Sequence, residues 1–414
     1  MGRDPAALRG ARRRLGALIL GALMTPSTAF DRRHRPPSRL PARAPRSLAA
    51  RALSLGIAFT LTVTFVAADA FAAGKGGGAS ARHHRIAAKA PPAPPSPPYG
   101  LREDVQAYIR QLAEADTTLD RAWLEATVGQ ARFQPQVARL IMPPPVGVPK
   151  NWQAYRDRFI EPRRIDAGLA FWNAHAQALE AAQARWGVPP ELVVGIIGVE
   201  TFYGRMTGGF RAVDALATLA FDFPSGRSDR SGFFRDELTA LIQLARRQGL
   251  DLQTLRGSYA GALGWGQFMP SSWARYGVDF DGDGVAALDR SAVDAIGSVA
   301  HFLAAHGWER DLPTHLGVEP PTDPTARAQL LAPDIRPTFS AAQMQALGAT
   351  LGPVPVQADR LALVELQNGG EAPSYVAGTQ NFWVVTRYNW SAYYAMAVIQ
   401  LGQAVAQRRA ASVP

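Results

Sequence analysis

Glu200 is the residue of this 414-residue sequence whose setting most directly offers chemistry. It is the one carboxylate inside a run in which Leu192, Val193, Val194, Ile196, Ile197 and Val199 fall on every face of a helix. Such a helix is buried on all sides. Burying an ionised Glu is expensive, so this carboxyl either finds a partner or keeps a proton near neutral pH. A proton held near neutrality is what a general acid donates. The alternative is a structural pair with Arg205 or Arg211, or a helix cap. A second stretch, residues 257–272, interleaves Gly257, Gly261, Gly264 and Gly266 with Tyr259, Trp265 and Phe268, and adds Ser258 and Gln267 as hydrogen-bonding groups. Rings for the apolar faces of pyranoses and amides for their oxygens are what a sugar groove requires. The same stretch also describes a tight turn between helices. No Lys-Ser or Lys-Thr closes it, so it is not a phosphate loop.

A third motif runs from Asp279 to Gly284 and places carboxylates at loop positions 1, 3 and 5 (Asp279, Asp281, Asp283) with Gly at 6, as an EF-hand begins. Position 12 is Arg290 rather than Glu. A bound Ca2+ competes with a solvated acidic turn as the reading. His301 and His306 lack the H-E-x-x-H arrangement, and His83 and His84 have no answering cluster, which argues against catalytic zinc. The chain has no Cys, which excludes disulfides, thiolate chemistry and lipid attachment through a cysteine.

Helices must position these groups. Val105, Tyr108, Ile109 and Leu112 carry a helical period, as does Asp166 to Ala184. Pro189 and Pro190 open a helix expected from Glu191 to Gly204, and Gly195 and Gly198 admit close neighbours. Further helices are expected over Phe234–Gln248, Val293–Ala305 and Ser391–Arg408, with short β-like runs such as Phe382 to Thr386. The expected class is mainly α (α+β) with a small sheet.

Charge separates the chain into two parts. Residues 1–90 hold 16 Lys and Arg against 3 Asp, leaving 28 basic and 31 acidic residues for the rest. A slightly acidic body lacks the clustered cations that bind phosphates, so nucleic acid is not an expected partner. The basic N-terminus reads as a secretory signal: Arg43, Arg46 and Arg51 precede the apolar run Leu53–Ala68, with small residues at Ala70 and Ala72. Residues 1–73 are thus an expected targeting region and 74–98, rich in Gly, Ala and Pro, a tether. A soluble periplasmic protein without a lipid anchor follows.

Taken together, the runs 151–160, 187–204, 214–219, 257–272, 294–300 and 381–406 resemble the lytic murein transglycosylase B family, in that family's order and over nearly everything after the tether. The resemblance implies a lysozyme-like helical core, here 187–312, with a helical region (99–186) and a part carrying a small antiparallel sheet (313–414) at its flanks. It implies cleavage of the N-acetylmuramic acid to N-acetylglucosamine bond of peptidoglycan without water, leaving a 1,6-anhydromuramoyl end. The family's catalytic Glu falls on Glu200. Its saccharide contacts fall on Ser258, Gln267, Tyr388, Asn389, Tyr394 and Tyr155, and Tyr203 is expected beside them. It also implies a Ca2+ site closed by Asp294 and the carbonyl of Val285, with Asp289 a competing ligand. No organic cofactor is expected, the partner is the glycan strand, and cell-wall synthesis or division proteins stay unspecified.

One carboxylate suffices for such a reaction because the C6 hydroxyl of the substrate is the nucleophile. Water-using glycosidases need two carboxyls at set separations. Glu191 lies at the far end of the helix, whereas Asp229 in a polar loop keeps a lysozyme-like hydrolase open. A non-catalytic peptidoglycan-binding protein is the alternative of another class; it would not need the buried acid.

Overall fold

The computed structural model describes residues 95–143 and 149–412. The expected targeting region, and the tether as far as residue 94, lie outside these residues. The last residues assigned to the tether already belong to the fold: Pro98 bridges Arg132, and the Ser96 hydroxyl donates to the Phe133 carbonyl at 3.2 Å.

Helices dominate. An N-terminal group consists of α1 (Glu103–Ala115), α2 (Arg121–Thr127) and α3 (Pro135–Leu140). The periodic residues Val105, Tyr108, Ile109 and Leu112 are the buried face of α1. After α4 (Trp152–Arg156) come α5 (Pro162–Ala174) and α6 (Ala176–Trp186), where the sequence suggested one helix. The chain breaks at His175, whose backbone leaves helical angles. The core helix α7 (Pro190–Thr201) follows, then α8 (Ala212–Phe221), α9 (Ser231–Gln248), α10 (Pro270–Tyr276) and α11 (Ala292–Ala305). A small ribbon, β1 (Phe210–Arg211) with β2 (Arg256–Gly257), ties the start of α8 to the Gly-rich stretch.

The remaining elements are β3 (His315–Glu319), α12 (Pro324–Leu331), α13 (Ala341–Ala346), β4 (Thr350–Leu351), β5 (Ala362–Asn368), β6 (Glu371–Gly378), α14 (Gln380–Thr386) and α15 (Ala392–Ala410). The strands form one antiparallel sheet in the order β4-β3-β6-β5. A small core of Leu312, Leu316, Leu330, Met344, Leu361 and Leu363 packs beneath it. Residues 313–414 therefore divide, because α14 and α15 return to the main core. The β-like reading of Phe382 to Thr386 is corrected: these residues lie in α14. So short a run cannot distinguish period 2 from period 3.6, and the Thr379 side chain caps the Asn381 N–H to start a helix instead.

All of α7 from Leu192 to Thr201 is buried, as its apolar residues on every face require. It crosses α15 at backbone contact. A Cβ on Gly195 would stand 2.2 Å from the Val398 carbonyl oxygen, and one on Gly402 would stand 2.0 Å from that of Glu191. Glycine at these two positions is what brings α15 close enough to set its tyrosines against the end of α7.

Candidate active site

Glu200 occupies the last turn of α7, and the helix stops one residue later, at Thr201. Phe202, Tyr203 and Gly204 turn away in left-handed conformation with φ of 51°, 57° and 78°, where the sequence suggested continued helix. Two non-glycine residues in that region cost about 1–3 kcal/mol each and persist only where the surroundings hold them. Here the Thr201 hydroxyl donates to the Trp265 carbonyl at 2.8 Å and accepts from the Gly204 N–H at 2.9 Å. The end of α7 is thereby clamped to the Gly-rich stretch.

Glu200 is 7% exposed. Burial pushes its pKa up to about 7, against the lowering effect of a hydrogen bond from Tyr394. That hydroxyl donates to Glu200 Oε1 at 2.6 Å; Oε2 takes part in no hydrogen bond among the described residues. Neither cation proposed as a structural partner reaches it. Arg211 pairs with Asp214 at 2.6 Å, and the Arg205 guanidinium lies over the Phe202 ring. Asp229 is exposed and caps Ser231 at the start of α9, which holds its carboxyl below the usual range. No neighbouring carboxylate contributes to the shift of Glu200.

Around the acid stand three tyrosines from distant parts of the chain. Tyr394, in the first turn of α15, stacks with Tyr388 at 6.4 Å and 12° between planes. Tyr388 donates to the Gly266 carbonyl at 2.5 Å, so the segment after α14 is pinned to the Gly-rich stretch. Tyr155 packs edge-on to Tyr393 and stacked on Trp152. Burial raises the pKa of all three hydroxyls, and the charge of Glu200 adds to the shift in each, which locates all three near the carboxyl. They stay protonated donors at any working pH.

In the Gly-rich stretch, Gln267 adopts φ 51° and donates through Nε2 to the carbonyls of Thr207 and Gly264, both at 3.0 Å. Its Oε1 is buried without a hydrogen-bond partner among the described residues. Ser258 is buried, and its Oγ accepts from the Ala262 N–H at 3.0 Å. That contact shapes the turn and leaves one O–H to donate. Asn389 is half-buried beside Tyr388, its carbonyl accepting from Ser391 N–H at 2.7 Å.

Tyr203 follows directly on the end of α7. It is 5% exposed, its hydroxyl stands where a Cβ on Gly168 or Gly198 would be, at 2.3 and 2.6 Å, and its ring lies against Phe171. One residue went unnoticed in the sequence. Glu237, on the otherwise apolar face of α9, is buried, which raises its pKa, and it accepts from the Ser271 N–H and hydroxyl at 3.0 and 2.7 Å. With Gln267, Phe233, Phe302, Arg387 and Tyr388 it lines a cavity of about 280 Å³. Its signal was a lone acid at an apolar helical position, the same signal that Glu200 gives.

In the acidic loop, ligand-capable oxygens of Asp279, Asp281 and Asp294 lie within 4.8 Å of one another. Asp294 is fully buried in the first turn of α11 and accepts from the N–H groups of Phe280, Asp281 and Ala287. Asp283 stands outside this trio, its carboxylate accepting from Val285 N–H at 2.9 Å; Asp289 is outside it too, beside Arg290. Three hard carboxylate oxygens at this spacing suit Ca2+.

The transglycosylase SLT domain family matches residues 101–403. The membrane-bound lytic murein transglycosylase B of Escherichia coli (strain K12) is 41% identical over 298 residues, 70% of this chain and 79% of that protein. The solved Escherichia coli lytic transglycosylase SLT35 in complex with calcium matches with a TM-score of 0.66 at 39% identity, over 74% of this chain and 94% of that one. SltB3 from Pseudomonas aeruginosa, in complex with NAG-NAM-pentapeptide, matches with a TM-score of 0.61 at 28% identity, over 73% of this chain and 79% of that one.

Proposed function

The chain belongs to the transglycosylase SLT domain family and is a lytic transglycosylase acting on peptidoglycan; from that premise we propose that Glu200 alone serves as its general acid and base. The observation that carries this is a buried carboxyl, held through one oxygen by Tyr394, with neither a cation nor a second acid beside it among the described residues. With a pKa of about 7 it is protonated in a large share of molecules at neutral pH.

The protonated carboxyl donates to the O4 of N-acetylglucosamine as that oxygen leaves C1 of N-acetylmuramic acid. The resulting carboxylate takes the proton from the C6 hydroxyl as O6 bonds to C1. One C–O bond breaks, one forms, a proton moves from O6 to O4, and no water is consumed. The hydrogen bond from Tyr394 strengthens as charge develops on Glu200 and steadies it between the two transfers. Tyr155, Tyr388 and Asn389 offer ring faces and polar edges to the sugars, and the buried Gln267 Oε1 offers an acceptor for an acetamido N–H or a hydroxyl. SltB3 binds a peptide-bearing disaccharide, and we extend that unit to this chain as its substrate.

Asp279, Asp281 and Asp294 would hold the Ca2+ ion, which would neutralise the clustered carboxylates and brace the loop before α11 without acting as acid or base. Export to the periplasm by the N-terminal segment completes the reading; no helix among the described residues is long and apolar enough to cross a membrane.

Digestion of purified sacculi followed by mass spectrometry tests the reaction. Wild type should release 1,6-anhydromuramoyl products, lighter by one water than those of a hydrolase, and Glu200→Gln should release almost none. Reducing ends would establish a lysozyme-like hydrolase. Intact sacculi would establish a binding protein.

A further inference from the structure

Beside the groove, four residues form a cluster that the reaction does not use. Trp383 on α14 and Trp390 just beyond it meet edge to face, with centroids 4.8 Å apart and planes at 81°. Both are half-buried. Two exposed arginines bracket the pair: the Arg387 guanidinium lies 5.4 Å from each ring centroid, and that of Arg336 lies 5.8 Å from Trp383 and 5.6 Å from Trp390. Among the described residues neither guanidinium makes a hydrogen bond or ion pair, although Asp334 is only two residues from Arg336.

We propose that Arg336 and Arg387, held by Trp383 and Trp390, form a subsite for carboxylates of the stem peptide carried by the bound glycan strand. This inference rests on the peptidoglycan reading above. Two exposed guanidiniums on the same pair of rings, neither engaged by an acid among the described residues, offer an anion two charged partners. A guanidinium laid over an aromatic ring keeps its in-plane N–H fork available for a carboxylate, and the ring removes part of the entropy cost of holding it there. The cluster is continuous with the groove: Arg387 lines the same cavity as Gln267 and Tyr388. The acid in that cavity, Glu237, has both oxygens engaged by Ser271 and leaves the arginines unpaired.

Calorimetry in a Glu200→Gln background, which prevents turnover, tests the subsite with two ligands: a muramoyl tetrasaccharide bearing its peptides and the same tetrasaccharide stripped of them by an amidase. Arg336→Gln with Arg387→Gln should weaken binding of the peptide-bearing ligand by about tenfold and leave the stripped ligand unchanged. Arg336→Gln alone, an exposed change away from Tyr388, should give part of that loss. Added salt should weaken the parent's binding of the peptide-bearing ligand more than that of the stripped one. Equal losses on both ligands, or a loss on neither, overturn the inference. Intact sacculi under the wild-type enzyme, with the ligand discrimination still present, would count against the proposed reaction and not against the subsite.

Discussion

Replacing Glu200 by Gln removes a proton-binding site that the fold distorts, and the consequence for stability follows from the pKa. In the unfolded chain the carboxyl titrates at about 4.5, and in the folded protein at about 7. Between those values the folded state holds a proton that the unfolded state has lost. The contribution of Glu200 to stability is therefore fullest below about pH 4.5, declines as pH rises toward 7, and levels off above it. At about 1.36 kcal/mol per pH unit, the interval amounts to about 3 kcal/mol of destabilisation at pH 8. Gln keeps the shape and the acceptor for Tyr394 but carries no charge at any pH. The stability of Glu200→Gln relative to wild type should thus grow by about 3 kcal/mol between pH 4.5 and pH 8, while turnover falls by about two to four orders of magnitude. Urea unfolding followed by tryptophan fluorescence at pH 4.5, 6, 7 and 8 measures the difference directly. A difference that stays constant across that range would refute the reasoning, because Glu200 would then titrate alike in both states. Wild-type kcat/KM should decline above about pH 7 as the acid form is lost.

Three further outcomes follow from the same geometry. Tyr394→Phe removes the hydrogen bond that lowers the Glu200 pKa, so the alkaline limb of the activity profile should move to higher pH while the fold persists; an unmoved limb would show that the 2.6 Å contact does not hold the carboxylate. Gly195→Ala places a methyl 2.2 Å from the Val398 carbonyl, and chemical denaturation should report a loss of about 1–3 kcal/mol as α7 and α15 separate. Chelation should lower the melting temperature without abolishing activity at low temperature, and Asp281→Ala should remove the response, since a ligand that binds only the folded state stabilises by mass action. A melting temperature indifferent to chelator would end the Ca2+ assignment.

Much of the machinery was legible along the chain because its signals are local. A carboxylate directly after the apolar run Leu192–Val199 announces its own desolvation, and the period-3.6 stripes placed α1, α9, α11 and α15 to within a few residues. The three carboxylates of the acidic loop were partly legible. Loop spacing offered Asp279, Asp281 and Asp283 and the family resemblance added Asp294, whereas which of their oxygens gather within 4.8 Å is set by the way α11 starts. Where the local signal was short or ambiguous it misled. The run Phe382 to Thr386 reads as strand and folds as helix.

The sequence by itself determined that an acid would be buried, because the apolar side chains around Glu200 can only be satisfied away from water. Which groups would meet that acid was decided by the tertiary structure. Tyr394 lies 194 residues on, and no periodicity or propensity encodes a contact at that separation. It depends on two helices approaching to backbone distance at Gly195 and Gly402, and on α7 ending at Thr201. The same holds for Glu237 and Ser271 and for Arg336 and Trp383, whose partners are chosen by packing. Burial is a property a residue carries in its neighbours along the chain, whereas partnership is fixed only when distant segments share one core.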